Sequence, residues 1–299
     1  MQATPYLFLS GDTPLSARMY RATDDLLERQ PAVLVTGSWL TVKEQMADHY
    51  ARALAARGYT VFTFDFAGFG QSGGSVRQAE LPARKIADMT AAARYVSSLS
   101  FVRPGGVGYL AVCASAQYAL SAIAGGAPIA SFASVAGWFH DTATVAPFYG
   151  GLPGVSSRLD RARSALARFE ESGEVVTVPA YAAGDERAGM FFELDYYASP
   201  SRGAVPAWRN EMAELSWLYW LGFDGLSAAA GVSVPTLLVH GDDCVLPDNL
   251  RSVHSSLAGP TELVWAAGGQ TDFYDQPDQV SLAVDAADDH FRRTLWRTL

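Results

Sequence analysis

Two residues able to act as nucleophiles, Cys113 and Ser115, stand in the run Cys113-Ala114-Ser115-Ala116, between the apolar segment Val107–Val112 and an alanine-rich stretch reaching about Ala124. A buried strand that turns sharply into a helix needs small residues about its apex, and Ala111, Ala114, Ser115 and Ala116 supply them. A nucleophile at that apex gains the positive field of the helix N-terminus, and the next backbone N–H can face a developing oxyanion. Two frames fit. Counting from the strand puts Cys113 at the apex with Ser115 at the second small flank. A shift of two makes Ser115 the apex but crowds the helix entry with Gln117. The first frame fits better, while simple packing of the turn stays open for both residues.

A base must come from a short supply. The histidines are His49, His140, His240, His254 and His290. His140 follows the strand-like run Ile129–Ala136 and is placed to face a crevice at the strand ends, as a base or as a hydrogen-bonder to substrate. A purely structural pairing with Asp141 is its other reading. His240 ends a strand and points towards the core; His49, His254 and His290 fall on helices. Asp272 is a second candidate base, because a carboxyl half-covered by aromatic groups is pushed towards neutrality.

The elements that must position these groups alternate along the chain. Tyr6–Leu9 and Leu15–Tyr20 flank Ser10-Gly11-Asp12 as an antiparallel hairpin. Val33–Thr36, Thr60–Phe64, Val107–Val112, Ile129–Ala136, Thr236–Val239 and Glu262–Trp265 read as buried strands. Helical periodicity falls over Lys43–Arg57, about Leu81–Leu99, the stretch to Ala124, about Asn249–Leu257 and Pro277–Trp296. This is an α/β chain with a mostly parallel, doubly wound sheet. From Asp141 to Gly231 the alternation stops, and an Arg-rich helix (Arg158–Glu171) leads into aromatics. The expected organisation is therefore a core of residues 1–140 and 232–299 with a helical, aromatic-rich lid over 141–231. Of its aromatics, Tyr196, Tyr197, Trp208, Trp217 and Trp220 are candidates to line an apolar substrate site, or else form a private core for the lid.

Composition narrows the partners. With 299 residues, 49% of them hydrophobic and 18% charged, the chain can bury a large core and is not disordered. The net charge of -9 argues against nucleic acid and anionic membrane. Two cysteines, Cys113 and Cys244, build no disulfide framework and suit a reducing compartment. Without a basic, apolar leader or a run of roughly 20 apolar residues, a cytoplasmic protein is expected. No histidines have metal-ligand spacing, and Gly68-Phe69-Gly70 leads into no immediate helix, so no metal and no nucleotide cofactor is expected. An apolar small molecule is the expected partner, and exposed lid aromatics could equally serve a homodimer.

Several segments together resemble one family. Thr36-Gly37-Ser38-Trp39, Lys43-Glu44-Gln45-Met46, Phe64-Asp65-Phe66-Ala67-Gly68-Phe69-Gly70-Gln71-Ser72-Gly73-Gly74, Gly137-Trp138-Phe139-His140-Asp141, Asp195-Tyr196-Tyr197, Trp208-Arg209-Asn210 and Asp272-Phe273-Tyr274-Asp275 look like the α/β-hydrolase fold. They are similar in particular to its dienelactone-hydrolase-like and polyketide-transferase-like branch. The resemblance implies an oxyanion hole from Ser38 or Trp39 and from Ala114, and an acid after the strand Thr236–Val239, best matched by Asp242. It also implies a histidine where Gln270 stands. An amide cannot take a proton from a thiol or hydroxyl, so the ordinary relay is not encoded. Three readings follow: an acyl hydrolase or transferase working through Cys113 or Ser115 with a non-standard base; a lyase or cyclase of natural-product biosynthesis without an acyl-enzyme; or a ligand-binding pseudo-hydrolase.

Overall fold

The computed structural model describes residues 2–296. Ten strands run in chain order as β1 (Thr4–Ser10), β2 (Thr13–Tyr20), β3 (Gln30–Thr36), β4 (Thr60–Phe64), β5 (Val102–Val112), β6 (Ser131–Val135), β7 (Thr177–Val178), β8 (Met212–Ala213), β9 (Thr236–His240) and β10 (Thr261–Trp265). Eight of them form one sheet in the order β1-β2-β4-β3-β5-β6-β9-β10, while β7 and β8 pair separately. The hairpin β1–β2 and the step β2–β4 are antiparallel, and every later step is parallel. In β3, β4, β6 and β9 every residue is buried, as a parallel sheet covered on both faces requires.

The helices are α1 (Met46–Ala55), α2 (Pro82–Ser97), α3 (Ser115–Ala124), α4 (Thr142–Val145), α5 (Gly151–Ser172), α6 (Asp195–Ala198), α7 (Trp217–Trp220), α8 (Pro247–Ser256), α9 (Asp272–Asp275) and α10 (Pro277–Leu295). Two boundaries differ instructively from the periodicity. Helix α1 begins at Met46 rather than Lys43, because side chains claim the preceding amides: Val42 N–H donates to Gln45 Oε1 at 2.9 Å and Lys43 N–H to Asp65 Oδ1 at 2.8 Å. Strand β5 reaches back to Val102, since Val102 pairs with Gln30 across an irregularity at Pro104-Gly105 that breaks the apolar run.

Strand order reverses at β3, which has β4 on one side and β5 on the other. The crevice beyond the carboxyl ends of β3 and β5 is thus the topological switch point, where ligands bind in open α/β sheets. Two hydrogen bonds tie these ends together: Tyr109 Oη to Thr36 Oγ1 at 3.1 Å and Ser115 Oγ to the Thr36 carbonyl at 3.2 Å. The segment between β6 and β9 contributes α4 to α7 and the β7–β8 ribbon. Gln45 Nε2 joins that segment to the loop before α1 by donating to the Gly203 carbonyl at 2.6 Å.

A buried ion pair fixes the loop after β4. Asp65 is fully buried, and its carboxylate accepts from Lys43 Nζ at 2.6 Å, Lys43 N–H at 2.8 Å and Gln71 N–H at 2.9 Å. Gly70 is required beside it, because a Cβ there would lie 2.2 Å from Asp65 Oδ2 and φ is +45°. Asp65→Ala would leave the buried Lys43 ammonium with Glu44 Oε1 at 3.1 Å as its remaining carboxylate and should cost about 3 kcal/mol, read as a lower midpoint in urea unfolding. An unchanged midpoint would show that the pair carries no stability.

Candidate active site

Cys113 is the single residue between β5 and α3 that reverses the chain, and it does so with φ of +58°. Its backbone leaves no freedom: its N–H donates to the Val135 carbonyl at 3.0 Å, while its own carbonyl accepts from Ala116 N–H and Trp138 N–H, each at 3.0 Å. Among the described residues four further non-glycine residues with positive φ stand in loops after neighbouring strands: Leu40 (59°), Gln78 (58°), Ala136 (45°) and Leu246 (53°). Such backbone costs on the order of 1–3 kcal/mol per residue and collects where a site is built.

Above Cys113 lies a cavity of about 180 Å³. The core contributes Ser38, Trp39, Cys113, Trp138, Val245, Gln270, Thr271 and Tyr274 to its wall. The inserted segment contributes Phe148, Tyr149, Gly189, Met190, Phe192, Leu194, Tyr197 and Trp220. Trp39 stacks on Trp220 with ring centres 4.5 Å apart, so one wall is a flat indole pair. Tyr274 joins the polar side, its hydroxyl 3.3 Å from Ser38 Oγ and accepting from Gln270 Nε2 at 3.2 Å. Burial pushes the Cys113 thiol up, against the Ser38 hydroxyl, the Tyr274 hydroxyl, the Ala114 N–H and the Gln270 amide, all of which favour thiolate. Tyr274 is raised well above its ordinary range by burial and by the nearby thiol, so it remains a proton donor.

Gln270 is held at both ends of its amide. Its Nε2 donates to the Ala136 carbonyl at 2.7 Å, and its Oε1 accepts from Val245 N–H at 3.1 Å. A backbone N–H therefore meets it from the loop after β9, where Asp242 and Asp243 are both exposed. Asp242 pairs instead with Arg251 at 2.6 Å, away from the cavity.

The other expected residues divide. The structure places Ser115 as the first residue of α3, its hydroxyl turned back onto the Thr36 and Val112 carbonyls at 3.2 and 3.1 Å. It does not line the cavity. Asp272 also lies outside it, accepting the Gly269 N–H at 2.8 Å and so closing its own turn. His140 is fully buried beneath the wall rather than in it. Trp138 Nε1 donates to its Nδ1 at 2.7 Å, so Nε2 carries the proton and donates to the Trp220 carbonyl at 2.9 Å. With both nitrogens engaged it braces two wall tryptophans and has no lone pair for a substrate. Ser38 N–H is taken by Met46 Sδ at 3.4 Å, whereas among the described residues no hydrogen bond occupies the Trp39 N–H.

Of the aromatic candidates, Tyr197 and Trp220 reach the wall. Trp217 packs behind it, between Trp39 and Tyr149. Tyr196 sits edge-on to Tyr274, and Trp208 anchors the Leu40 carbonyl through Nε1 at 2.8 Å. Sequence reasoning assigned no role to Tyr274, Trp138, Phe148, Tyr149 or Val245. Tyr274 lies four residues beyond Gln270, and Trp138 stands three residues past the end of β6, so spacing and strand-end position could have pointed to both.

A Ser–His–carboxylate chain does exist elsewhere. At the amino end of β6, Ser131 Oγ lies 2.9 Å from His290 Nε2, and His290 Nδ1 lies 3.0 Å from Glu262 Oε1. Ser131 is fully buried, and Thr294 caps its hydroxyl at 2.8 Å.

The chain belongs to the alpha/beta hydrolase family, whose model matches residues 32–283. It is 27% identical over 277 residues to an uncharacterised Pseudomonas aeruginosa protein, PA2218, covering 89% of this chain and 74% of that one. The crystal structure of PA2218 aligns over 98% of this chain and 94% of its own, with a TM-score of 0.84 and 23% identity. The α/β hydrolase GrgF from Penicillium sp. sh18 aligns with a TM-score of 0.84 at 17% identity, over 99% and 100% of the two chains. Shorter matches join it to an acyltransferase of Aspergillus calidoustus, drtE (33% over 108 residues), and a polyketide transferase of Penicillium crustosum, claH (29% over 110 residues). These cover 36% and 37% of this chain, and 34% and 36% of the relatives. Among the described residues no helix is long and apolar enough to cross a membrane.

The buried histidines predict an acid limit. Burial lowers His140 and His240 each from 6.5 to about 4. Between those values the unfolded chain binds protons that the folded chain refuses. Stability is therefore full above about pH 6.5 and is lost as pH falls towards about 4, by roughly 3 kcal/mol per group. Urea midpoints at about pH 7.5 and about pH 4.5 should differ accordingly; equal midpoints would mean that neither ring is kept neutral.

Proposed function

We propose that the chain is a cysteine-dependent acyl-transfer enzyme acting on an apolar, ring-bearing ester, thioester or lactone of polyketide type. The observation that carries this reading is Cys113 at a left-handed strand–helix junction, on the floor of an aromatic cavity that Trp39 also lines, with the Ala114 N–H directed at its sulfur; the Ala114 and Trp39 N–H groups are the proposed oxyanion donors. In the step envisaged, the Cys113 sulfur adds to the substrate carbonyl carbon, and the oxyanion is received by those two donors. The bond to the leaving oxygen or sulfur then breaks, and the thiol proton passes to that leaving atom. A cysteine suits a site without imidazole, because thiols react with less basic assistance than hydroxyls. The names of the fungal relatives drtE and claH support acyl transfer, and the stacked indoles favour a flat substrate.

Gln270 decides the acceptor. Standing where the family resemblance implies histidine, it cannot activate water, so the acyl-enzyme persists until a nucleophile acidic in its own right, such as a thiol or enol, takes the acyl group. The raised thiol and the donor Tyr274 favour one second reading, a lyase or cyclase in which protonation by these groups replaces acylation.

An N-acetylcysteamine thioester of an aromatic acid tests the assignment by intact-protein mass. The wild type should gain one acyl group at Cys113, Cys113→Ala none, and Cys244→Ala the same as wild type. Gln270→His should hasten loss of the adduct to water by about 10-fold or more. A wild type that is never acylated defeats the proposal. Isomerisation or elimination of a substrate without an adduct would favour the second reading, and neither adduct nor turnover would leave a binding protein.

A further inference from the structure

The chain has two lysines, Lys43 and Lys85, among 22 basic residues. Both are buried, and both meet buried carboxylates on either side of the loop that carries Trp39. Lys43 and Asp65 hold its far end. The second pair lies under its apex: Lys85 Nζ is 2.7 Å from Glu80 Oε2 and sits over the rings of Phe66 and Phe69 at 4.6 and 4.7 Å.

Glu80 is fully buried and touches four separate parts of the molecule. Its Oε2 accepts the Leu40 N–H at 3.4 Å, and its Oε1 accepts from Tyr118 Oη, on the helix that follows Cys113, at 2.7 Å. Its backbone N–H donates to Ser216 Oγ of the inserted segment at 2.9 Å, and Ser216 precedes Trp217, which packs on Trp39. Leu40 is one of the left-handed residues, with φ of 59°. A strained residue next to the oxyanion donor keeps that conformation only while its surroundings insist on it. The Leu40 N–H faces Glu80 and the Leu40 carbonyl faces Trp208 Nε1, so the peptide is gripped from both sides.

We infer that Glu80 is a positioning residue: through Leu40 it aims the Trp39 N–H at the carbonyl carried by Cys113, and through Ser216 it couples that aim to the inserted segment. This rests on the acyl-transfer reading. Lys85, caged by aromatic rings, supplies the charge that allows a carboxylate to be buried there. A carboxylate can accept from Leu40, Tyr118 and Lys85 together. An amide in its place has one acceptor oxygen and sets an NH2 group against the ammonium.

The test compares wild type, Glu80→Gln and the double variant Glu80→Gln/Lys85→Met. Acylation of Cys113 by the aromatic thioester should slow about 10-fold or more in Glu80→Gln, as expected for a displaced oxyanion donor, with KM within about twofold. Alkylation of Cys113 by iodoacetamide needs no oxyanion hole and should keep its wild-type rate. The double variant removes the uncompensated ammonium, so its melting temperature should recover from that of Glu80→Gln while its acylation rate stays low. Recovery of the rate in the double variant, or a wild-type rate in Glu80→Gln, overturns the inference. Amide hydrogen exchange over residues 37–45 gives a readout independent of turnover: it should quicken about 10-fold in both variants, and unchanged exchange also overturns the inference. If wild type is not acylated at all, the acyl-transfer reading fails on its own, and the exchange result still decides whether Glu80 holds the loop.

Discussion

A chain that leaves a buried parallel strand and enters a helix at once has one residue in which to turn, and here that residue is Cys113. Its N–H and carbonyl are consumed by the end of β6 and the first turn of α3, so its conformation is imposed from outside. The thiol is thereby thrust beyond the sheet instead of into it. The same constraint recurs around the cavity at Leu40, Ala136 and Leu246. Each left-handed turn brings a loop inward just past its strand, and together they draw four loops around one small volume. Strain of this kind is tolerable because the strands beneath are fully buried and cannot relax to relieve it.

The polar side of that volume is built from neutral groups. Gln270 bonds through both ends of its amide, Tyr274 lies between it and Ser38, and the nearest loop after β9 offers a backbone N–H where a carboxylate would complete a relay. Charge is instead kept under the floor, in Lys43–Asp65 and Lys85–Glu80. The thiol is thus surrounded by neutral hydrogen-bond donors, and the paired charges stand behind the loop.

Much of the fold was legible because strand and helix periodicities alternate cleanly outside residues 141–231. At the elbow the crowding expected of Gln117 favours Cys113 over Ser115 without separating them fully; the backbone, left-handed at one and helical at the other, does so. For His140 the structure supports the structural reading, and the reason is physical. Its place after a strand points to the crevice, but Trp138, two residues earlier, takes the wall and uses His140 as its support. Asp242 is picked out by the family resemblance and Asp272 by expected aromatic cover, whereas the structure places one in a surface ion pair and the other in a turn. Tyr196, Trp208 and Trp217 show the limit of counting aromatics: Trp217 and Trp208 hold Trp39 and Leu40 from behind, a role no spacing discloses.

Ser131, His290 and Glu262 show that the spacing of a catalytic triad can arise without a catalytic site. A template that scores only inter-atomic distances would mark this chain as a serine hydrolase, and would do so at the amino end of the sheet, where the serine is sealed and already capped. A screen that also asked whether a carbonyl could reach the hydroxyl would discard that match and return to the opposite end, where the Cys113 thiol faces the cavity and no imidazole lines it.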